Sequence, residues 1–284
     1  MSLKKWNRTC FLISLINSGV FAAISYATEE PRNVDGISDN SFLVEEAYNQ
    51  EAGVVQHILT LDYSELRHGS VNEKAWNMSF TQEWPVPTQT HQFSYTIPYS
   101  FVEDNGVARD GIGDVLLNYR YQAYFDEKTL TAFAPRFSLV LPTGDEKGGF
   151  GENTLGYQIN LPVSATLGDS WFAHFNAGMT FLPGAGVKKR DLADYNLGAS
   201  VIYAATRNTH FLLEWIGTWI KDSDSGTREF QTRISPGVRH AWNIGNAQLV
   251  LGVAAPIGLN SNTPDIGMFL YASFEHRFLR EASK

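Results

Sequence analysis

Thr154-Leu155-Gly156-Tyr157-Gln158-Ile159-Asn160-Leu161-Pro162-Val163-Ser164-Ala165-Thr166-Leu167 is the stretch on which the fold turns. Leu155, Tyr157, Ile159, Leu161, Val163, Ala165 and Leu167 share one parity, and Gly156, Gln158, Asn160, Pro162, Ser164 and Thr166 the other. Side chains alternate between the two faces of a strand, so this segment is apolar along one face and polar or small along the other. A globular strand runs to about 5–6 residues, and this one is far longer. A tilted strand that crosses a bilayer needs about 9–11 residues.

The pattern recurs. Twelve candidate strands follow one another: 54–66, 75–84, 89–99, 114–125, 129–141, the opening stretch, 171–182, 192–205, 210–220, 229–242, 247–259 and 266–278. Tight turns at 84–88, 126–128, 168–170, 206–209 and 243–246 alternate with longer polar or glycine-rich links at 67–74, 100–113, 142–153, 183–191, 221–228 and 260–265. An even strand count with short turns on one side and longer loops on the other is the pattern of outer-membrane barrels. The expected fold is therefore all-β, an antiparallel up-and-down transmembrane β-barrel of about twelve strands. Pro98, Pro135, Pro162, Pro236 and Pro256 fall inside these strands, where a missing N–H breaks the ladder, so a bulge is expected at each.

The ends of the chain read differently. Lys4, Lys5 and Arg8 precede an apolar stretch from Phe11 to Ile24, and Ser25-Tyr26-Ala27 offers small residues at −3 and −1 of a cleavage site. Residues 1–27 are thus expected to be a signal peptide. Its loss takes away the single cysteine and makes a chain of net charge −8 more acidic still. That excludes thiol chemistry and disulfides, and it argues against a nucleic-acid partner, which would call for Lys/Arg clusters. Residues 28–52 are acidic and mostly polar, and are expected to form a periplasmic lead-in that tucks against or into the barrel formed by 53–284, with a disordered tail as the alternative for Thr28–Asp39. Asp39, Asn40 or Ser41 is placed to cap a short helix carrying Phe42, Leu43, Ala47 and Tyr48.

The outward parity should face outer-membrane lipid, with Trp and Tyr near the strand ends as interfacial girdles. The inward parity carries Asp114, Arg120, Arg136, Gln158, Asn160, His174, Asn176, Asp194, Glu214, Arg233, Arg239, Glu275 and Arg277, the candidate lumen-lining set. Two readings compete for these residues: ion pairs that fill a narrow barrel, or a polar pore that filters solutes. No nucleophile-elbow, zinc-protease, P-loop or dinucleotide motif is present, so no catalytic, cofactor or metal residue is assigned. His174 and His210 point inward, and Ser164 could join one of them as a nucleophile–base pair. Asp145, Glu146 and Glu152 in one loop could approach a divalent cation, with a solvated acidic loop as the default.

Several stretches resemble the outer-membrane transporter family of the meta (MetA) pathway of phenol degradation. They are Gly111-Ile112-Gly113-Asp114-Val115, Pro135-Arg136-Phe137-Ser138 running to Leu141-Pro142-Thr143-Gly144-Asp145, and Leu161-Pro162-Val163-Ser164 followed by Asp169-Ser170-Trp171 and His174-Phe175-Asn176-Ala177-Gly178. The resemblance covers roughly 106–278. It implies a transporter-type barrel that passes small aromatic or hydrophobic compounds, and it carries no catalytic residues over. The expected protein is a passive outer-membrane channel for small solutes, inserted by the barrel-assembly machinery. The alternatives are a structural or interaction barrel with a blocked lumen and, third, an outer-membrane hydrolase.

Overall fold

The computed structural model describes residues 41–68, 71–223 and 225–277. The expected signal peptide, the first part of the 28–52 segment with the proposed caps Asp39 and Asn40, and the tail from Phe278 lie outside the described residues.

Twelve antiparallel strands close into a barrel. They are β1 (Val54–His68), β2 (Val71–Pro85) and β3 (His91–Asp104), then β4 in three pieces (Val107–Ile112, Val115–Tyr121, Tyr124–Asp126). Next come β5 (Thr131–Phe133, Arg136–Leu141), β6 (Gly156–Asn160, Val163–Thr166), β7 (Trp171–Ala185) and β8 (Arg190–Ala204). The last are β9 (Thr209–Lys221), β10 (Arg228–Ile244), β11 (Ala247–Ala254, Ile257–Gly258) and β12 (Ile266–Arg277). Each strand pairs with its chain neighbours, and β12 pairs with β1 from Val54↔Arg277 to Glu65↔Ile266, which closes the sheet. Closure leaves no free edge, so the wall satisfies its own backbone groups in hydrocarbon.

The alternation in the opening stretch survives intact. Tyr157, Ile159, Leu161, Val163 and Leu167 are exposed on the outside, whereas Gly156, Asn160, Pro162 and Ser164 are buried within. Outward rings meet in pairs towards the two rims. Trp84–Tyr95 (5.7 Å) and Trp171–Tyr203 (4.8 Å) lie on the near rim, where β1 begins, and Tyr63–Trp76 (4.5 Å) and Trp219–Phe230 (4.7 Å) lie towards the far one.

The prolines behave in two ways. Pro98 and Pro135 each face a one-residue bulge in β4. The register steps from Tyr99↔Ile112 to Thr96↔Leu116, and from Arg120↔Arg136 to Phe133↔Tyr124. Pro162, Pro236 and Pro256 need no bulge, contrary to expectation, because the registers run through them unbroken. All five carbonyls still accept a cross-strand amide, from Gly113, Tyr121, Ala134, Ala255 and Gly267 respectively, at 2.8–3.2 Å. A proline therefore loses one bond of a two-bond pair and need not shift the ladder.

Two further expectations are corrected. The far-rim links are not uniformly long, because polar residues taken for loops continue as strand. The β3–β4 link is a tight turn at Asn105 (φ 47°) and Gly106 (φ 84°), an Asn-Gly pair suited to the left-handed backbone of a two-residue hairpin. The proposed helix around Phe42 does not form: residues 41–52 run irregularly, with bends at 42–44 and 47, inside the barrel.

Candidate functional site: the occupied lumen

Residues 41–52 fill the lumen of their own barrel. From the near rim, where Val54 N–H donates to the Glu51 carbonyl (3.0 Å), the segment sweeps around the inner wall and is anchored at nearly every step. The Gln50 amide donates to Gln92 Oε1 (2.8 Å), and its side chain bonds Gln56. Asn49 donates to the Gln89 carbonyl and Tyr48 to that of Leu130. Ala47 N–H donates to Ser164 Oγ (2.8 Å), and its carbonyl accepts from Gln122. Asn176 brackets Glu45, accepting its amide and donating to its carbonyl, each at 2.7 Å. Leu43 and Val44 both donate to Glu214 Oε1 (2.9 and 3.1 Å), and Ser41 meets Ser200. A strand-less segment buried in a lumen carries unpaired backbone groups, and these wall side chains satisfy them.

Charge is matched at the centre. Glu45 takes the Arg136 guanidinium at 2.9 Å, Arg120 Nη1 at 3.1 Å and the Asn160 amide at 2.6 Å. Burial alone would push the Glu45 carboxyl up; Arg136, Arg120 and the Asn160 amide overcome it and hold the group below its usual range. Arg120, 3% exposed, also donates to Asn49 Oδ1 and to the carbonyls of Glu46 and Tyr48. Glu46 Oε1 lies 3.5 Å from both Arg239 and His174.

The opposite wall is apolar. Phe42 packs on Phe269 (5.6 Å between ring centroids) and Tyr271 (5.4 Å), within a cluster that includes Ile58, Ile202, Leu212 and Val250. These inward apolar residues were missed in the sequence because the lumen was read as uniformly polar. The signal was there: Leu212-Leu213 and Phe269-Leu270-Tyr271 are apolar on both parities, as a strand buried on both faces should be. Above the plug lies a cavity of about 320 Å³, lined on one side by Ser41 to Glu45 and on the other by Arg136, Gln158, Asn160, Asn176 and Asn196.

Of the candidate set, Arg120, Arg136, Asn160, His174, Asn176, Glu214 and Arg239 meet the plug directly. Gln158 bridges Arg136 and Thr180 beside the cavity. Arg277 lies 3.7 Å from Glu51 at the near rim, and Arg233 pairs with Asp62 (2.8 Å) on the wall. Glu275 is half-buried opposite Gln56. Asp194 accepts the Lys221 amide towards the far rim. Asp114 stands apart from the lumen centre: it ties down the 142–155 loop by accepting the amides of Gly144 and Glu152. The Phe150 ring of that loop packs against Gly111, where a Cβ would come within 2.7 Å of it. Two of the resembling stretches, Gly111–Val115 and Leu141–Asp145, therefore meet at the far mouth. In the same loop Asp145 accepts the Lys147 amide and Glu146 the Asn153 side chain.

Ser164 and His174 do come together, Oγ to Nδ1 at 2.8 Å, with Glu46 beyond the ring. His210 instead lies 3.4 Å from Arg239. Ser164 is 0% and His174 1% exposed, and Ser164 Oγ is also held by the Ala47 amide. With the plug seated, the pair works as a docking point for the segment.

Fold and lumen together define a transmembrane-type β-barrel, apolar on its outer face and lined by polar and apolar walls within. No family model matches the chain, and no curated protein does. Among solved structures it is similar to the COG4313 outer membrane channel from Pseudomonas putida F1. That match has a TM-score of 0.61 at 13% identity over 81% of this chain and 97% of that one. It is also similar to the β domain of the Bordetella autotransporter BrkA, with a TM-score of 0.51 at 12% identity over 80% and 100% of the two chains.

Proposed function

We propose that the chain is an outer-membrane channel for small solutes, with residues 41–52 as a resident plug that must leave the lumen for full conduction. The observation that carries this reading is how the plug is held. Its backbone is bound by wall side chains through ordinary hydrogen bonds, each worth about 0.5–1.5 kcal/mol net, which water can replace one by one.

Solute class follows from the two walls. The ring of Phe42 occupies an aromatic niche bounded by Phe269 and Tyr271. A small aromatic or hydrophobic solute has the chemistry to take that place, while the cavity above offers carboxamides to its polar groups. The near rim is assigned to the periplasm, where the turns of such barrels lie. Lipid surrounds the wall, the barrel-assembly machinery inserts it, and the chain has no enzymatic role.

A second reading is a structural barrel whose plug never leaves, and the density of plug contacts favours it. Single-channel recording in planar bilayers separates the two. The channel reading expects small or rare current steps from the intact protein and large steady ones after deletion of residues 41–50. Silence from both proteins, each correctly folded, would rule it out.

A further inference from the structure

On the outer surface at the near rim, two histidines face each other across the seam that closes the barrel. His57 belongs to β1 and His276 to β12. Their Nε2 atoms are 3.3 Å apart, and the rings lie 5.4 Å apart at 21°. Phe80 and Phe274 stack on His57 at 6.3 and 6.4 Å and fix its plane.

The second nitrogen of His276 supplies an independent clue. Its Nδ1 lies 3.3 Å from the Arg277 carbonyl oxygen. A proton donated there leaves Nε2 with a bare lone pair aimed at His57. Imidazoles that ligate metals are oriented in this way, through the other ring N–H on a backbone carbonyl or carboxylate. The spacing also fits: a tetrahedral ion with metal–nitrogen bonds of about 2.0–2.1 Å sets two of its ligand nitrogens about 3.3–3.4 Å apart.

We propose that His57 and His276 bind one divalent transition-metal ion, Zn²⁺ or Cu²⁺, through their Nε2 atoms, with water in the remaining positions. Imidazole nitrogen suits these ions, whereas Mg²⁺ and Ca²⁺ take oxygen ligands. The ion would clamp the first strand to the last. On the inner face of the same two strands Glu51 lies 3.7 Å from Arg277, where the plug joins β1. The clamp therefore sits on the segment about which the plug would swing.

The test uses the untagged, folded barrel in detergent micelles. Titrated with Cu²⁺, it is expected to bind one ion whose electron paramagnetic resonance spectrum carries coupling to two imidazole nitrogens. His57→Gln and His276→Gln should each weaken binding at least tenfold, while His91→Gln and His240→Gln, at other outward histidines, should leave it unchanged. Zn²⁺ should raise the thermal midpoint of the wild type and not of His276→Gln, and Mg²⁺ should move neither. Fewer than two coupled nitrogens in the wild type, or binding indifferent to His276→Gln, would overturn the site. Because the nitrogen count is read on the wild type, a variant that fails to fold does not spoil the test.

Discussion

Gly252 of β11 is the floor on which the ring of Phe42 lies: a Cβ on Gly252 would overlap Cζ of that ring. Gly237 of β10 makes the same allowance on the other side, where a Cβ would come within 2.7 Å of Cε2. The wall is thus cut away to the shape of one side chain of the plug. Gly252→Val should expel the ring while removing none of the plug's hydrogen bonds, its Cβ otherwise meeting only Cβ of Arg239 at 3.3 Å among its nearest neighbours. Larger or more frequent openings than in the wild type are expected in bilayer recordings, and unchanged currents would mean that Phe42 does not hold the plug in place.

Glu45 is the electrostatic counterpart of Phe42. Replacing it with alanine leaves Arg136 without the carboxylate that now accepts from its Nε and removes a ligand of Arg120. Leaving buried donors unmatched costs about 1–3 kcal/mol, enough to raise a small open fraction roughly 5- to 150-fold. Arg120→Ala, which also frees the carbonyls of Glu46 and Tyr48, should act in the same direction. Open probability from single channels reads both effects.

Acid should loosen the plug through the same residue. A carboxyl held below its ordinary value contributes docking stability that is complete above the free-state pKa of 4.5 and fades as pH falls below it towards the docked value. Openings should therefore become more frequent below about pH 4.5. Burial pushes Glu51 the other way, with Arg277 only partly offsetting it, so acid strengthens docking there. Glu45→Gln isolates the first effect: it should abolish the acid-induced rise, and a rise that persists would assign it elsewhere.

The lipid face can be tested directly. Ile159, 44% exposed at mid-strand on the outside, should tolerate arginine poorly, at a cost of about 2–4 kcal/mol in unfolding measured in lipid bilayers. Asn196, which borders the lumen cavity, should accept the same change at much lower cost. Gln158 is a poorer control than its inward parity suggests, because an arginine there would face Arg136. Equal costs at Ile159 and Asn196 would reverse the assignment of faces.

The barrel was legible because lipid outside the wall enforces an alternation that local sequence must carry, as it does from Tyr157 to Leu167. Loop lengths were misread where strands run on with polar residues, although Asn105-Gly106 signalled the β3–β4 turn. Ser41 to Gln50 gave only a hint of their destination. Their partners Gln92, Ser164, Asn176, Ser200 and Glu214 are remote in the chain, and no periodic pattern ties a non-repetitive segment to five different strands. Phe42 looked like the apolar side of a helix; its true counterpart, the pair of glycines, lies some two hundred residues away.

Because Val54 follows the plug without a break, the segment is a ligand tethered to its own binding site. A short flexible tether holds its cargo at an effective concentration in the millimolar range. Release is then a unimolecular excursion: the plug competes for the lumen at every moment, no dilution carries it off, and its return does not depend on how many copies the membrane holds. On the proposed channel function, a passing solute would contend with an inhibitor that is always within reach.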